Sequence, residues 1–230
     1  MNNKNEMEKY FEETLSFWKH LNKEEKSKLL NESRINSFLT GESIYAGQTN
    51  CAGLFLIKTG QVRAYIISET GKEITLYRLF DRDVCIFSAS CMMKNINFDI
   101  FVEAEKETEA YLIPIGAYNQ LLKDSVEVSE FTNQLLASRF SDVMWVMEQV
   151  LFMSFDKRLA IFLLEQAAIE ENDTFYMTQD TIAKHLGSAR EVVSRMLKYF
   201  SEEGYVKVAR GKITILDQKK LIELANESNK

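Results

Sequence analysis

The sequence predicts an α+β chain in three parts: a strand-rich N-terminal half, one long helix, and a helical C-terminal part that closes with a hairpin. Three observations carry this. From about Ile35 to Ile115, runs such as LFLIKTGQVRAYII and EITLYRLF are β-rich and broken by glycine-bearing turns. Val126–Phe152 contains neither glycine nor proline. Thr178–Lys198, TQDTIAKHLGSAREVVSRMLK, shows helical periodicity on both sides of a single glycine.

The 230 residues, 46% of them hydrophobic, suffice for one large or two small domains with real cores. No apolar run is long enough to span a bilayer. The start, MNNKNEMEKYFEE, is polar and acidic with no signal-peptide core, so a soluble cytoplasmic protein without membrane partners is expected. Three cysteines, an odd number, argue against a disulfide framework. The net charge of −6 is unevenly spread: residues 1–152 hold 16 basic and 22 acidic side chains, residues 153–230 hold 12 of each. Within 178–212 seven basic residues face four acidic ones, a local +3. An acidic half joined to a locally basic patch suits binding of DNA by a small surface, with salt-dependent affinity.

Taken in order, Met7, Phe11, Leu15, Trp18, Leu21, Leu29 and Leu30 recur at helical steps and predict two short helices over 7–32. The β-rich region that follows, with Ser68–Lys72 as a hairpin loop and FDIFVEA and EAYLIPI as further strands, predicts an antiparallel roll or barrel. A short turn is expected at Gly116–Lys123. In the helix 126–152, Leu136, Phe140, Val143, Met147 and Val150 are spaced 4, 3, 4, 3, the heptad seam of a helix packed along an identical partner. One amphipathic helix lying on its own domain is the alternative. Ser154 and Asp156 open the next helix, and an acidic loop, EENDT, leads to 178–198. The resulting division is 1–123, 124–152 and 153–230.

The stretch 178–198 is built as helix, turn, helix. Thr178 is a hydroxyl N-cap, with Asp180 in the first turn where the helix dipole favours an acid. Gly187 ends the first helix as the residue that turns left-handed without a Cβ penalty. Ser188-x-x-Glu191 has the form of a capping box. Val192, Val193, Met196 and Leu197 supply the second helix's buried side, and Gly204 follows its end. YVKVA, Arg210-Gly211-Lys212 and ITIL read as a hairpin, so the whole is a winged helix-turn-helix, with residues 217–227 as a closing helix.

This order resembles the Crp/Fnr superfamily of transcription regulators, those of the catabolite-activator and fumarate/nitrate type, over almost the whole chain. The resemblance rests on Leu54-Phe55-Leu56-Ile57-x-x-Gly60-x-Val62 and Gly71-x-Glu73-Ile74, and most strongly on Gln179-x-x-Ile182-Ala183-x-x-Leu186-Gly187-x-x-Arg190-Glu191-x-Val193-x-Arg195-x-Leu197. It implies a double-stranded β-helix (jelly-roll) sensor domain, a dimerisation helix and a winged-helix reader. It implies a homodimer on a pseudo-palindromic operator, half-sites about one helical turn apart, allosteric control by the roll, and RNA polymerase as a further partner.

An arginine can pair two-pronged with guanine and a carboxylate can accept from cytosine N4. The base-reading candidates are therefore Arg190, Glu191, Ser194 and Arg195. Thr178, Gln179, Ser188 and Lys212 are the candidates for phosphate contacts, through the helix N-terminus and the wing. Blander readings stand beside these: Glu191 as a capping acid only, Arg195 as a salt bridge to Glu191 or Glu202, Lys198 as merely solvated. His185 is expected at the surface or on the phosphate side rather than as a metal ligand.

In the roll the sequence departs from cyclic-nucleotide relatives. Ile86 and Phe87 stand where their Gly-Glu pair falls, and no arginine lies between Arg82 and Arg139, so cAMP is not the expected effector. Cys51, Cys85 and Cys91 are one short of the four ligands of a 4Fe-4S cluster. They read as small buried hydrophobes, with a redox pair Cys85/Cys91 as the alternative. Haem lacks an obvious axial ligand, His20 lying in an N-terminal helix, and remains open through Cys or Met. An effector pocket is expected from Ile86, Phe87, Ser88, Ser90, Cys91, Met92, Met93, Phe98 and Phe101, suited to a small apolar or aromatic ligand. Backbone amides near Ser88–Ser90 are a candidate anion contact. No P-loop, nucleophile elbow or zinc spacing suggests an enzyme. A cupin-type enzyme would need histidines, and the roll has none between His20 and His185. The remaining alternative is a constitutive DNA-binding protein with a vestigial pocket.

Overall fold

The computed structural model describes residues 2–46, 52–86 and 99–226. The chain forms two compact units, Met1–Ile66 with Leu76–Val143, and Ile67–Thr75 with Met144–Lys230. The division falls inside the long helix, whereas the sequence suggested that helix as a part of its own.

The first unit opens with α1 (Asn2–Thr14), a 3-10 turn at Trp18–His20 and α2 (Lys23–Glu32). A capping box starts α2: the Asn22 side chain accepts from the Glu25 amide, and the Glu25 carboxylate accepts from the Asn22 amide. Eight strands follow among the described residues: β1 (Arg34–Phe38), β2 (Ser43–Ala46), β3 (Gly53–Thr59), β4 (Val62–Ile67), β5 (Glu73–Leu79), β6 (Val84–Cys85), β7 (Phe101–Ala104) and β8 (Thr108–Pro114). They form two four-stranded sheets, β1-β8-β3-β6 and β2-β7-β4-β5, in which β1/β8, β3/β8, β3/β6, β2/β7 and β4/β7 pair antiparallel. This is the expected jelly roll.

Strand alternation explains the LFLI run. Leu54 and Leu56 of β3, with Tyr111 and Ile113 of β8, face a layer of helices and pack with Phe11, Leu15, Trp18 and Leu29. Phe55 and Ile57, with Ala110 and Leu112, face the roll interior, where Val62, Ala64, Leu79, Cys85, Ile100 and Val102 complete the core. A sheet buried on both faces needs consecutive apolar residues, and β3 supplies them.

The expected turn at 116–123 is instead a helix, α3 (Ile115–Asp124), with Ala117, Tyr118 and Leu121 buried. Pro114 occupies its N-cap, and Gly116 falls in its first turn. The Tyr118 hydroxyl bonds the Thr132 hydroxyl at 2.7 Å, fastening α3 to the long helix α4 (Val126–Phe152). The bounds of α4 are those the sequence suggested.

The second unit contains α5 (Phe155–Ile169), β9 (Thr174–Tyr176), α6 (Gln179–Leu186), α7 (Arg190–Glu202), β10 (Val206–Ala209), β11 (Lys212–Ile215) and α8 (Gln218–Asn226). Its core joins Leu159, Phe162 and Leu163 to Ile182, Leu186, Val193, Leu197, Phe200, Val206, Ile213 and Leu221. The hairpin expected after α7 is the edge of a three-stranded sheet, β10-β11-β9. Its third strand, β9, begins at Thr174, the last residue of the expected acidic loop.

Candidate nucleic-acid interface

Local chemistry places the two helices of the reader. The Thr178 hydroxyl accepts from the Thr181 amide at 3.1 Å and so caps α6. Gly187 ends it at φ 61°, in the left-handed region, and the Ser188 amide donates back to the Ala183 carbonyl at 2.9 Å. The expected capping box is absent: Ala189, not Ser188, is the N-cap of α7, and no side chain caps it. The two-residue link after Gly187 carries Ser188 one position too far upstream for its hydroxyl to serve. Glu191 is thereby released from the capping role and stands exposed in the first turn.

Around α7, at about 100° per residue, Val193, Leu197 and Phe200 point inward and are buried. Glu191, Arg195 and Lys198 share the opposite face and are exposed. Ser194 lies half-buried beside them. Arg190 is exposed on the flank nearer Ser194, its Nε 3.6 Å from Asp180 Oδ2 of α6. The structure therefore groups Glu191 with Arg195 and sets Arg190 with Ser194. Arg195 has no acidic partner among the described residues, so the salt bridges weighed for it do not form. Lys198 pairs at 3.7 Å with Glu202.

Of the phosphate candidates, Thr178 is exposed, while Gln179, Ser188 and Lys212 are half-buried. The Lys212 ammonium sits 5.7 Å from the centre of the Tyr176 ring, an exposed aromatic of β9 that the sequence reading passed over. Lys207 and Arg210, exposed on the wing, also belong to this basic edge. They were visible in the sequence only as members of the local positive count.

His185 corrects its expectation. It is buried, its Nδ1 is 2.8 Å from the Thr75 hydroxyl, and its ring packs 5.1 Å from that of Phe162. Lys184 beside it pairs with Glu73 at 2.9 Å. A Cβ on Gly187 would meet Ile74 Cδ1 at 3.0 Å. Arg158 of α5 donates through Nη2 to the Leu186 carbonyl, placing a cation at the negative end of α6. Burial lowers the pKa of that guanidinium.

On α4, the proposed seam divides. Leu136 and Val143 are half-buried, Val143 against the roll core, while Phe140, Met147 and Val150 are exposed. Val143 is drawn into its own unit, and the open apolar line runs instead through Phe140, Met144, Met147 and Leu151. Trp145 and Phe152 are exposed on a second side of the same helix.

Of the effector-pocket residues, Phe87, Ser88, Ser90, Cys91, Met92, Met93 and Phe98 lie outside the described residues, as do Cys51 and the anion contact suggested near Ser88–Ser90. Ile86 and Cys85 are buried. Phe101 is not with the roll core: Ile100 and Val102 point there, and Phe101, of opposite parity to Val102, stacks on Tyr65 at 5.5 Å. His20 is a surface residue 4.0 Å from Glu127. Arginines described on the roll pair with carboxylates. Arg63 pairs with Glu103 at 2.6 Å, Arg78 with Glu105 at 3.3 Å and Arg82 with Glu13 at 2.9 Å. Arg139 of α4 pairs with Asp142 at 2.8 Å and lies over the Tyr77 ring.

A jelly roll followed by a long helix and a winged helix-turn-helix, its second helix turning an open, charged face to solvent, defines a DNA-binding regulator. The profile of the Crp-like helix-turn-helix domain matches residues 157–224, and that of the cyclic nucleotide-binding domain matches residues 35–125. A solved transcriptional regulator of the Crp/Fnr family from Eubacterium rectale is 48% identical, with a TM-score of 0.91 over 94% of this chain and 100% of its own. Electron transport regulator A of Shewanella oneidensis is 28% identical over 199 residues, 82% of this chain and 77% of that protein. Transcriptional regulator SdrP of Thermus thermophilus is 29% identical over 177 residues, 74% and 83% respectively. The chain belongs to the Crp/Fnr family: it is a dimeric, DNA-binding transcription regulator and not an enzyme. No helix among the described residues is long and apolar enough to cross a membrane.

Proposed function

We propose that the chain acts in the cytoplasm as a homodimer, joined along Phe140, Met144, Met147 and Leu151, and reads a pseudo-palindromic operator through α7. Glu191 and Arg195 would read base edges from the open face, Arg190 and Ser194 from the flank beside it. The α6 N-terminus at Thr178 and Gln179, together with Ser188, Lys212 and the wing, would hold phosphates. The observation that carries this reading is the shared exposure of Glu191 and Arg195 on one face, neither spent on capping nor on an intramolecular ion pair. The effector, on the same reading, is not cAMP but a small apolar or aromatic molecule taken up by the roll. The aromatic and aliphatic character of its core and the prior engagement of its arginines support that choice. Bound to its operator, the dimer would act on RNA polymerase.

Selection of duplexes from a randomised pool with the purified dimer tests the reader. A two-fold symmetric consensus supports the proposal, and enrichment without symmetry rejects it. Native mass spectrometry of the purified protein, and gel shifts with and without cAMP and aromatic acids, test the effector. Operator affinity raised by cAMP alone would reject the effector assignment.

A further inference from the structure

We infer that Asp180 is a positioning residue for base reading: it holds Arg190 so that the terminal nitrogens of that guanidinium meet one base of each half-site. The inference rests on Arg190 being a reader.

Three observations converge on this. First, Arg190 begins α7 on the flank that adjoins α6, about 140° around the helix from Arg195 and about 100° from Glu191. Left to itself, its side chain has no reason to join the face those two share. Second, the acid paired with it is Asp180 of α6, and the approach is made at Nε, 3.6 Å from Oδ2. A carboxylate at Nε leaves the Nη1–Nη2 edge open, which is the edge that can fork onto guanine O6 and N7. Third, a cation at the first position of a helix meets the positive end of the dipole, and α7 has no side-chain cap to offset it. An acid from α6 supplies the offset. An aspartate so near a DNA-reading surface repels phosphates, so a structural surplus charge would serve the protein poorly there.

At 3.6 Å the contact is an ion pair rather than a formed hydrogen bond, and both side chains are more than half exposed. It restrains Arg190 in the free protein. Desolvation by DNA would then tighten it.

The two charges give opposite signals, and this separates positioning from simple electrostatics. Asp180→Asn removes a negative charge, so affinity for a random-sequence duplex should hold or rise. Discrimination at a single base pair of each half-site should meanwhile fall about two- to fivefold. Arg190→Ala should abolish preference at that same base pair, a loss of about tenfold or more. In the double variant, discrimination should be no worse than in Arg190→Ala alone. Asp180→Glu, which keeps a carboxylate, should recover most of the discrimination. The probe is the selected operator with each position substituted in turn, using the full-length dimer, with thermal unfolding as the fold control.

If Asp180→Asn leaves discrimination intact while Arg190→Ala destroys it, Asp180 positions nothing, although Arg190 still reads. An equal loss of affinity for operator and random duplex in Asp180→Asn also overturns the inference. Unchanged preference in Arg190→Ala overturns both the reading role and the positioning built on it. Should Asp180→Asn not fold, Asp180→Glu against Asp180→Ser decides the matter by the same readout.

Discussion

The Thr75 hydroxyl lies 2.8 Å from Nδ1 of His185, two residues 110 positions apart in sequence. The contact sits at the end of α6, next to the turn on which α7 depends, and Glu73 and Ile74 reinforce it through Lys184 and Gly187. Removing the hydroxyl with Thr75→Val is expected to cost about 1 kcal/mol, the net worth of one hydrogen bond of this kind. Urea unfolding of the full chain, followed in the second unit by amide exchange, measures it. An unchanged midpoint would mean that the bond carries no net weight.

Gly187→Ala should be more severe. Its φ of 61° disfavours a side chain, by about 1–2 kcal/mol, and the added carbon would press on Ile74 at 3.0 Å. Pairing Gly187→Ala with Ile74→Ala separates the two causes. The packing part is relieved in the double variant and the backbone part is not.

These two residues also mark what the sequence could and could not reveal. Gly187 was legible because a lone glycine between two helical periodicities has one good explanation. The N-cap at Thr178 and the bounds of α4 were legible for similar reasons, being written in neighbouring residues. His185 was not: its partner is distant in the chain, and a histidine beside a lysine looks like surface. The capping box failed because Ser188-x-x-Glu191 fits the motif in spacing while the backbone starts α7 one residue later. The side of β7 on which Phe101 lies was not legible, because strand parity is not fixed by its own segment. Gly116 read as a turn because nothing local says that Pro114 is an N-cap.

For base reading, Glu191→Ala or Arg195→Ala is expected to cost about 1–3 kcal/mol on the preferred operator and to relax preference at one position per half-site. Competition gel shifts with singly substituted operators provide the check. Loss spread evenly over all positions would reduce the residue to a phosphate contact.

Replacing wing cations should act differently. Each of Lys207, Arg210 and Lys212 that neutralises a phosphate contributes about 0.9 to the slope of log affinity against log salt. Arg210→Ala is therefore expected to lower that slope by about one and to weaken operator and random duplex alike. Fluorescence anisotropy across a salt series reads both.

For the dimer, Phe140→Ala and Leu151→Ala are each expected to weaken self-association, because both side chains stand open in the monomer. The loss should reach about 3 kcal/mol for Phe140. Val143→Ala should instead destabilise the roll, against which Val143 packs. Sedimentation equilibrium beside thermal unfolding distinguishes the two. A variant at Val143 that only dissociates the dimer would restore the original 4, 3, 4, 3 seam.

Tyr118 supplies a pH dependence. Burial pushes its phenol up to about 12, against a smaller opposing effect from the Thr132 hydroxyl. The folded state keeps this proton when the unfolded state, with a pKa near about 10, has lost it. Its contribution to stability, on the order of 2–3 kcal/mol, is whole below about pH 10 and is lost as pH rises toward about 12. Tyr118→Phe should flatten that part of the stability profile, as followed by urea midpoints between these values.

The open apolar line on α4 also has a consequence for dosage. If two copies must meet along Phe140, Met144, Met147 and Leu151 before two α7 helices can engage one operator, occupancy grows with the square of the subunit concentration wherever monomers prevail. Modest changes in synthesis or degradation would then be amplified at the promoter. Abundance itself would become a signal, superimposed on whatever molecule the roll detects.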